Sequence, residues 1–310
     1  MIVLCGAQHA DPTVPRALRE LGVKRLVAIV TAGWQEREGE PGTVADPGVP
    51  TVELALHQRG EQVFAEDAEL AAAYSARQLK LKGMQDAYRV RLEHAAQAAR
   101  AVAVRAADPV LAGEEAAASL ELLRQIDRDH LTRCRAVHAA FDAAVRPRER
   151  RAVARHLEEL RRAIEPAEAI VIAGGHVAVL LNRLRLFAIA ELAGARPIVA
   201  WSAGAMALTD RVVLFHDDPP HGQAISEVLD AGLGLAPELV VLPEPRLRLR
   251  LDDRARVAEL AGRYAPARCI ALDHGAQIWV DGGRPVRASG AQRLDPGGDV
   301  EPGWTPRSMP

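Results

Sequence analysis

Ser202 stands in the segment Pro197-Ile-Val-Ala-Trp-Ser-Ala-Gly-Ala-Met-Ala-Leu208, where an apolar run gives way to a string of small residues. A serine at a tight strand-to-helix turn is the nucleophile-elbow arrangement: the turn exposes Oγ and needs small neighbours, because backbone segments crowd there. Ala200, Gly204 and Ala205 supply them, with Ala200 where a G-x-S-x-G pattern has its first glycine. The helix start beside Ser202 also favours developing negative charge. The same residues equally fit a helix N-cap serine after a buried strand, which implies no chemistry. Upstream, Ala169-Ile-Val-Ile-Ala-Gly-Gly-His-Val-Ala-Val-Leu-Leu181 is another strand running into Gly174-Gly175. Paired glycines let backbone N–H groups approach an oxyanion. Alone they are an ordinary turn; one βα unit before a serine elbow they point to acyl transfer.

The elements that position these motifs fall into three zones. Residues 1 to about 60 have α/β character, with an apolar run at Ile2–Cys5, a second strand over Lys24–Val30, a candidate helix at Pro15–Leu21, and a loop rich in proline and glycine from Glu38 to Pro50. From Val63 to Ile164 the chain is rich in Ala, Arg, Glu and Leu. Leu70, Tyr74, Leu81, Met84, Tyr88, Leu92 and Ala95 recur at helical spacing. After Pro109 and Gly113 a second stripe runs through Leu120, Leu123, Ile126, Leu131, Cys134, Val137, Phe141 and Val145, and Pro147 is placed to open a third helix. A helix of about 40 residues is roughly 60 Å long and needs a partner for its stripe, so the segment reads as an antiparallel hairpin. Beyond Glu168 strands are predicted at Ala169–Ile172, Pro197–Trp201, Leu239–Leu242, Cys269–Leu272 and Gln277–Val280, with helices at Val177–Ala193 and Asp252–Tyr264. The expected fold is a parallel α/β sheet flanked by helices, flavodoxin-like, built from residues 1–62 and 166–290. The hairpin, 63–165, is inserted, and 291–310 is expected to be a flexible tail.

Composition excludes several classes. The 310 residues are 49% hydrophobic and 26% charged, which is globular, and the formal net charge of −2 gives no reason to expect a nucleic-acid partner. No apolar run reaches the roughly 18 residues of a membrane span. The first residues lack a basic leader, and the three cysteines, Cys5, Cys134 and Cys269, are far apart; a reducing cytoplasm is the expectation.

Four motifs in order carry a family resemblance: Gly174-Gly175 followed by Leu180-Leu181, the Trp-Ser-Ala-Gly-Ala elbow, Gly232-Leu-Gly-Leu-Ala-Pro237, and the strand end Cys269-Ile-Ala-Leu-Asp-His274. Together they resemble peptidase family S51, which holds dipeptidase E and cyanophycinase and has the class I glutamine amidotransferase-like fold. The resemblance covers residues 166 to 285 well and the first 35 weakly, and leaves out the helical insertion. It implies a serine nucleophile at Ser202 and an oxyanion hole from backbone N–H at Gly174 or Gly175 and at Ala203. It also implies a small peptide or amide substrate, with acidic or β-linked aspartyl groups favoured in the family, and no cofactor.

The resemblance further implies a histidine base shortly after the Gly-Leu-Gly-Leu-x-Pro segment, and there the sequence departs. Glu244 falls where the histidine stands, and His274 falls where the cyanophycinase-like branch has the carboxylate that orients it. In a well-studied triad, loss of the histidine costs roughly a million-fold in turnover. Three replacements fit the sequence. His274 reaches Ser202 directly, with Glu244 or Asp273 orienting it; His176 serves from beside the glycine pair; or His216 or His221 folds over from its loop. His274 ranks first because it follows a strand at the end where open α/β sheets place their ligands.

His130, Cys134 and His138 share a helical face, but structural zinc needs a fourth ligand, such as His94, and Cys134 fits the apolar stripe as plain core. Arg246-Leu-Arg-Leu-Arg-Leu251 alternates as an edge strand or an anion-recognition strip. Three functions therefore stand open: a serine hydrolase, a catalytically silent relative that binds or assembles, and another acyl transfer, against which the serine in place of an amidotransferase cysteine counts. The long stripes of the hairpin predict homodimerisation or a lid over the pocket.

Overall fold

The computed structural model describes residues 1–9, 12–40, 48–105, 108–217 and 225–302. The chain opens with β1 (Ile2–Cys5), α1 (Val14–Glu20), β2 (Val27–Val30) and β3 (Thr51–Glu53). Four helices follow: α2 (Leu56–Glu66), α3 (Ala68–Arg105), α4 (Pro109–Val145) and α5 (Arg151–Ile164). The α/β alternation resumes with β4 (Ala169–Ile172), α6 (Val177–Leu186), α7 (Ile189–Ala193), β5 (Ile198–Trp201) and α8 (Ala203–Leu208). Next come β6 (Arg211–Leu214), β7 (Glu227–Ala231), β8 (Leu239–Pro243), α9 (Pro245–Arg248), α10 (Arg254–Tyr264) and β9 (Arg268–Leu272). The chain closes with β10 (Gln277–Asp281), β11 (Arg284–Ser289), β12 (Gln292–Leu294) and β13 (Val300–Pro302).

The main sheet has the order β11-β10-β1-β5-β4-β2-β3. Its strands β1, β5, β4, β2 and β3 run parallel, and β10 and β11 close one edge antiparallel. Every residue of β2, β4 and β5 is buried, as expected of parallel strands covered on both faces. A second sheet, β13-β12-β9-β8, pairs β8 with β9 in parallel, and β6 and β7 form a separate ribbon. The α/β architecture, a mostly parallel central sheet flanked by helices, is the one the sequence predicts. Among the described residues no helix is long and apolar enough to cross a membrane.

Several elements differ from the sequence reading. The run Val177–Ala193 is two helices, because Ala188 adopts φ 49° and turns the chain between α6 and α7. Arg246–Leu251 is not a strand: Pro245 presets the first helical turn, and Arg246 to Arg248 complete α9. Pro147 opens a 3-10 turn, Pro147–Glu149, and α5 begins only at Arg151. The expected tail is partly ordered, since Gln292–Leu294 and Val300–Pro302 extend the second sheet from β9; residues 303–310 lie outside the described residues.

Helices α3 and α4 form the antiparallel hairpin, with α4 opened by the Asp108 side chain accepting from the N–H of Val110 and Leu111. A buried polar knot ties it to the α/β body. Arg263 of α10, fully buried, donates to both oxygens of Asp127 of α4 at 2.6 Å. Tyr88 of α3 donates to Asp127 at 2.7 Å and accepts from the N–H of Val228 at 2.9 Å. His130 stacks on the Tyr88 ring at 4.2 Å, and His138 bonds Asp230 at 2.9 Å, so these histidines take up structural partners. No cluster of three metal-capable side chains forms among the described residues.

Candidate active site

Parallel strands deliver their loops to one edge of the sheet, and here the carboxyl ends of β1, β2, β4 and β5 bring four short segments together. They are Gln8 and His9 after β1, Trp34 after β2, Gly174 and Gly175 after β4, and Ser202 after β5. With Val177, Ala203, Met206, Leu214, Pro243, Glu244 and Arg248 they line a cavity of about 670 Å³. This is the place where open α/β sheets bind ligands.

Ser202 has φ 49° and ψ −119°, a conformation that a residue with a side chain adopts at a cost of about 1–3 kcal/mol. The strain is held by neighbours on both sides: the Ser202 N–H donates to the Cys5 carbonyl at 3.2 Å, and its own carbonyl accepts from Met206 at 3.0 Å. The sharp turn requires the small residues around it. A side chain at Gly204 would meet the carbonyl oxygens of Ile172 and Ala173 at 2.6 and 2.7 Å.

The glycine pair packs directly against the elbow. Gly175 has φ 101°, and a Cβ there would lie 2.4 Å from the Gly33 oxygen, so both its conformation and its space demand glycine. Among the described residues no acceptor takes the N–H of Gly174, Gly175 or Ala203. Three backbone donors on the cavity wall with no internal partner, beside a strained serine, form the arrangement that binds a developing oxyanion.

The imidazoles are distributed differently from the sequence reading. His274 is exposed and does not line the cavity; its Nδ1 lies 3.2 Å from the Ala7 carbonyl oxygen. His176 caps α6, its Nδ1 accepting from the Val179 N–H at 3.3 Å, and it too is off the cavity wall. His216 lies outside the wall with its Nδ1 buried and unpartnered, and His221 is outside the described residues. Among the described residues, the imidazole that lines the cavity with Ser202 is His9, which the sequence reading did not select. It meets His274 edge-on, with ring centroids 6.3 Å apart. The two rings come together because the loops after β1 and β9 cross: a Cβ on Gly6 would stand 1.8 Å from the Asp273 oxygen. A histidine four residues past the first strand carries no short-range signal; only that crossing gives it a role.

Glu244 is on the cavity wall, in the left-handed conformation with φ 52°. Its carboxylate accepts from Arg248 at 3.0 Å, while Asp273 pairs with Arg246 at 2.8 Å. Glu244 and His274 are therefore engaged separately rather than with each other. Trp34 and Trp201, with centroids 6.4 Å apart, give the cavity its apolar floor. None of the three thiols lines this cavity. Burial pushes Cys5 up to about 11 and Cys134 and Cys269 up to about 12, which leaves all three as inert thiols at neutral pH.

A family model described as peptidase family S51 matches residues 125–286. No curated protein matches the chain. Among solved structures, the crystal structure of a peptidase from an acI-B1 Actinobacterium is 14% identical, with 95% of this chain and 90% of that one covered and a TM-score of 0.40.

Proposed function

The chain belongs to peptidase family S51, a family of serine peptidases, and from that premise we propose that it hydrolyses an amide bond of a small peptide through Ser202. Ser202 Oγ attacks the scissile carbonyl, and the carbonyl oxygen, negative in the tetrahedral intermediate, is held by N–H groups of the glycine pair and of Ala203. The proton from Oγ passes to His9 and from there to the leaving amine. Water then enters, gives a proton to the same imidazole, and releases the acyl group from Ser202. His274 packs edge-on against the His9 ring and so helps to orient it. A peptide or other small amide fits a cavity of about 670 Å³.

The observation that carries this reading is the strained Ser202 backbone set against unpaired N–H groups in one cavity. A fluorophosphonate probe tests it. Labelling is expected on the intact protein, retained in Ser226→Ala and lost in Ser202→Ala. Labelling unchanged in Ser202→Ala, or none on the intact protein, removes the proposal. A second reading, a family member that binds peptides without cleaving them, is favoured by one observation: among the described residues nothing hydrogen-bonds the Ser202 side chain. Absence of labelling together with measurable peptide binding selects it.

A further inference from the structure

A second cavity, of about 520 Å³, lies at the root of the hairpin. It is walled by Tyr74 and Arg77 of α3, by His138 and Phe141 of α4, by the end of α6, and by Gly232 and Leu233 after β7. Ser202, the glycine pair and Glu244 are not among its lining residues.

Arg77 is the anomaly there. It is only 6% exposed, yet among the described residues no carboxylate pairs with it. Its one hydrogen bond goes to the neutral side-chain oxygen of Asn182 at 2.7 Å, and its Nε has no partner. The guanidinium lies over the rings of Tyr74, at 4.0 Å, and Phe141, at 4.3 Å. Two ring faces hold the group flat and attract its charge, but they do not replace an anion: a buried charge left without a counterion is strongly unfavourable. The other cations around the cavity are already answered. Arg146 pairs with Glu149, Arg148 with Glu191, and Arg185 with Asp230. His138 also bonds Asp230, leaving its buried Nδ1 without a partner.

We propose that this cavity binds a small organic carboxylate, whose anionic end pairs with Arg77 and whose apolar body lies against Phe141, Leu184, Leu186 and Leu233. A single unpaired guanidinium beside apolar side chains, on a wall that also carries Asp142, Glu149 and Glu191, suits one singly charged carboxylate and no more highly charged anion. A phosphate, with more charge and more acceptors, needs several free cationic donors, and the neighbouring arginines are engaged. The volume falls in the range of ordinary small-molecule sites.

Calorimetric titration of the full chain with benzoate, 3-phenylpropionate and inorganic phosphate tests the site by binding alone, independent of hydrolysis. At least one aromatic carboxylate is expected to bind at sub-millimolar to millimolar concentration and phosphate much more weakly. Arg77→Met, which keeps the stem and removes the charge, is expected to weaken carboxylate binding at least tenfold. Ala190→Trp, which fills the cavity from α7 and leaves Arg77 in place, is expected to do the same. Ser202→Ala is expected to bind as the intact chain does, which separates this site from the peptidase reading. Binding of phosphate in preference to both carboxylates, binding unaffected by either cavity variant, or no binding at 10 mM ligand overturns the proposal.

Discussion

Gly174 and Ser202 touch across the cavity floor: a methyl group on the glycine would stand 3.1 Å from the serine Cβ. That separation is tighter than ordinary contact, so an added methyl group would force one of the two segments to give by a few tenths of an ångström. Gly174→Ala is accordingly expected to displace the elbow; since a misplacement of about 1 Å costs about 100-fold in rate, a loss of several-fold is expected. Overpacking costs stability by about 1 kcal/mol in the same variant. Parallel peptide-hydrolysis assays and urea unfolding check the pair of outcomes. A variant that unfolds readily but labels normally with fluorophosphonate would contradict them.

The position of the rings predicts an order of severity among histidine variants. His9→Ala is expected to abolish labelling of Ser202, because it removes the imidazole on the cavity wall. His274→Ala leaves that ring in place and only removes its edge contact, so labelling is expected to slow without vanishing. His176→Ala and His216→Ala are expected to label at the rate of the intact chain. Full loss in His274→Ala with normal labelling in His9→Ala would return the base to the loop after β9.

The elbow and the glycine pair are legible in the sequence because each is a short-range motif: a strand, a forced turn and small residues at fixed offsets. Most strands are legible for the same reason, as buried runs such as Ala169–Ile172 read directly as apolar. His9 is not legible, since its place depends on where the loop after β1 crosses the loop after β9. The run Arg246–Leu251 misleads because its alternation is genuine while Pro245 decides the backbone. The strands at Gln292–Leu294 and Val300–Pro302 are hidden by the prolines and glycines around them, which in this fold serve as turns within a sheet.

Glu53 predicts how stability depends on pH. Burial, reinforced by the nearby charge of Glu38, pushes its carboxyl up to about 7. Between about 4.5 and 7 the folded chain keeps a proton that the unfolded chain has released, so stability falls as pH rises through this window. The loss amounts to about 3 kcal/mol and is complete above pH 7. Glu53→Gln keeps an acceptor for the Ala55 N–H and removes the charge. Its melting temperature is expected to exceed that of the intact chain at pH 8 and to match it near pH 4, by scanning calorimetry.

The buried pair of Arg263 and Asp127 predicts a strong asymmetry between single and double variants. Asp127→Ala leaves the guanidinium in the core with only neutral partners and is expected to cost about 3–5 kcal/mol in urea unfolding. Replacing both, Asp127→Leu with Arg263→Met, is expected to recover much of that loss, because the desolvated charge goes with the pair. A double variant no more stable than Asp127→Ala would show that the hydrogen bonds to Tyr88 and Ser226, rather than charge balance, hold the knot.

Helix α6 begins at Val177 on the wall of the Ser202 cavity and ends at Leu184 to Leu186 on the wall of the Arg77 cavity. Its ten residues make a strut about 15 Å long, with Asn182 gripped by Arg77 at its middle and the glycine pair just ahead of its first residue. A strut of that kind does not stretch. Two hollows that have no lining residue in common are therefore walled, in part, by one rigid element.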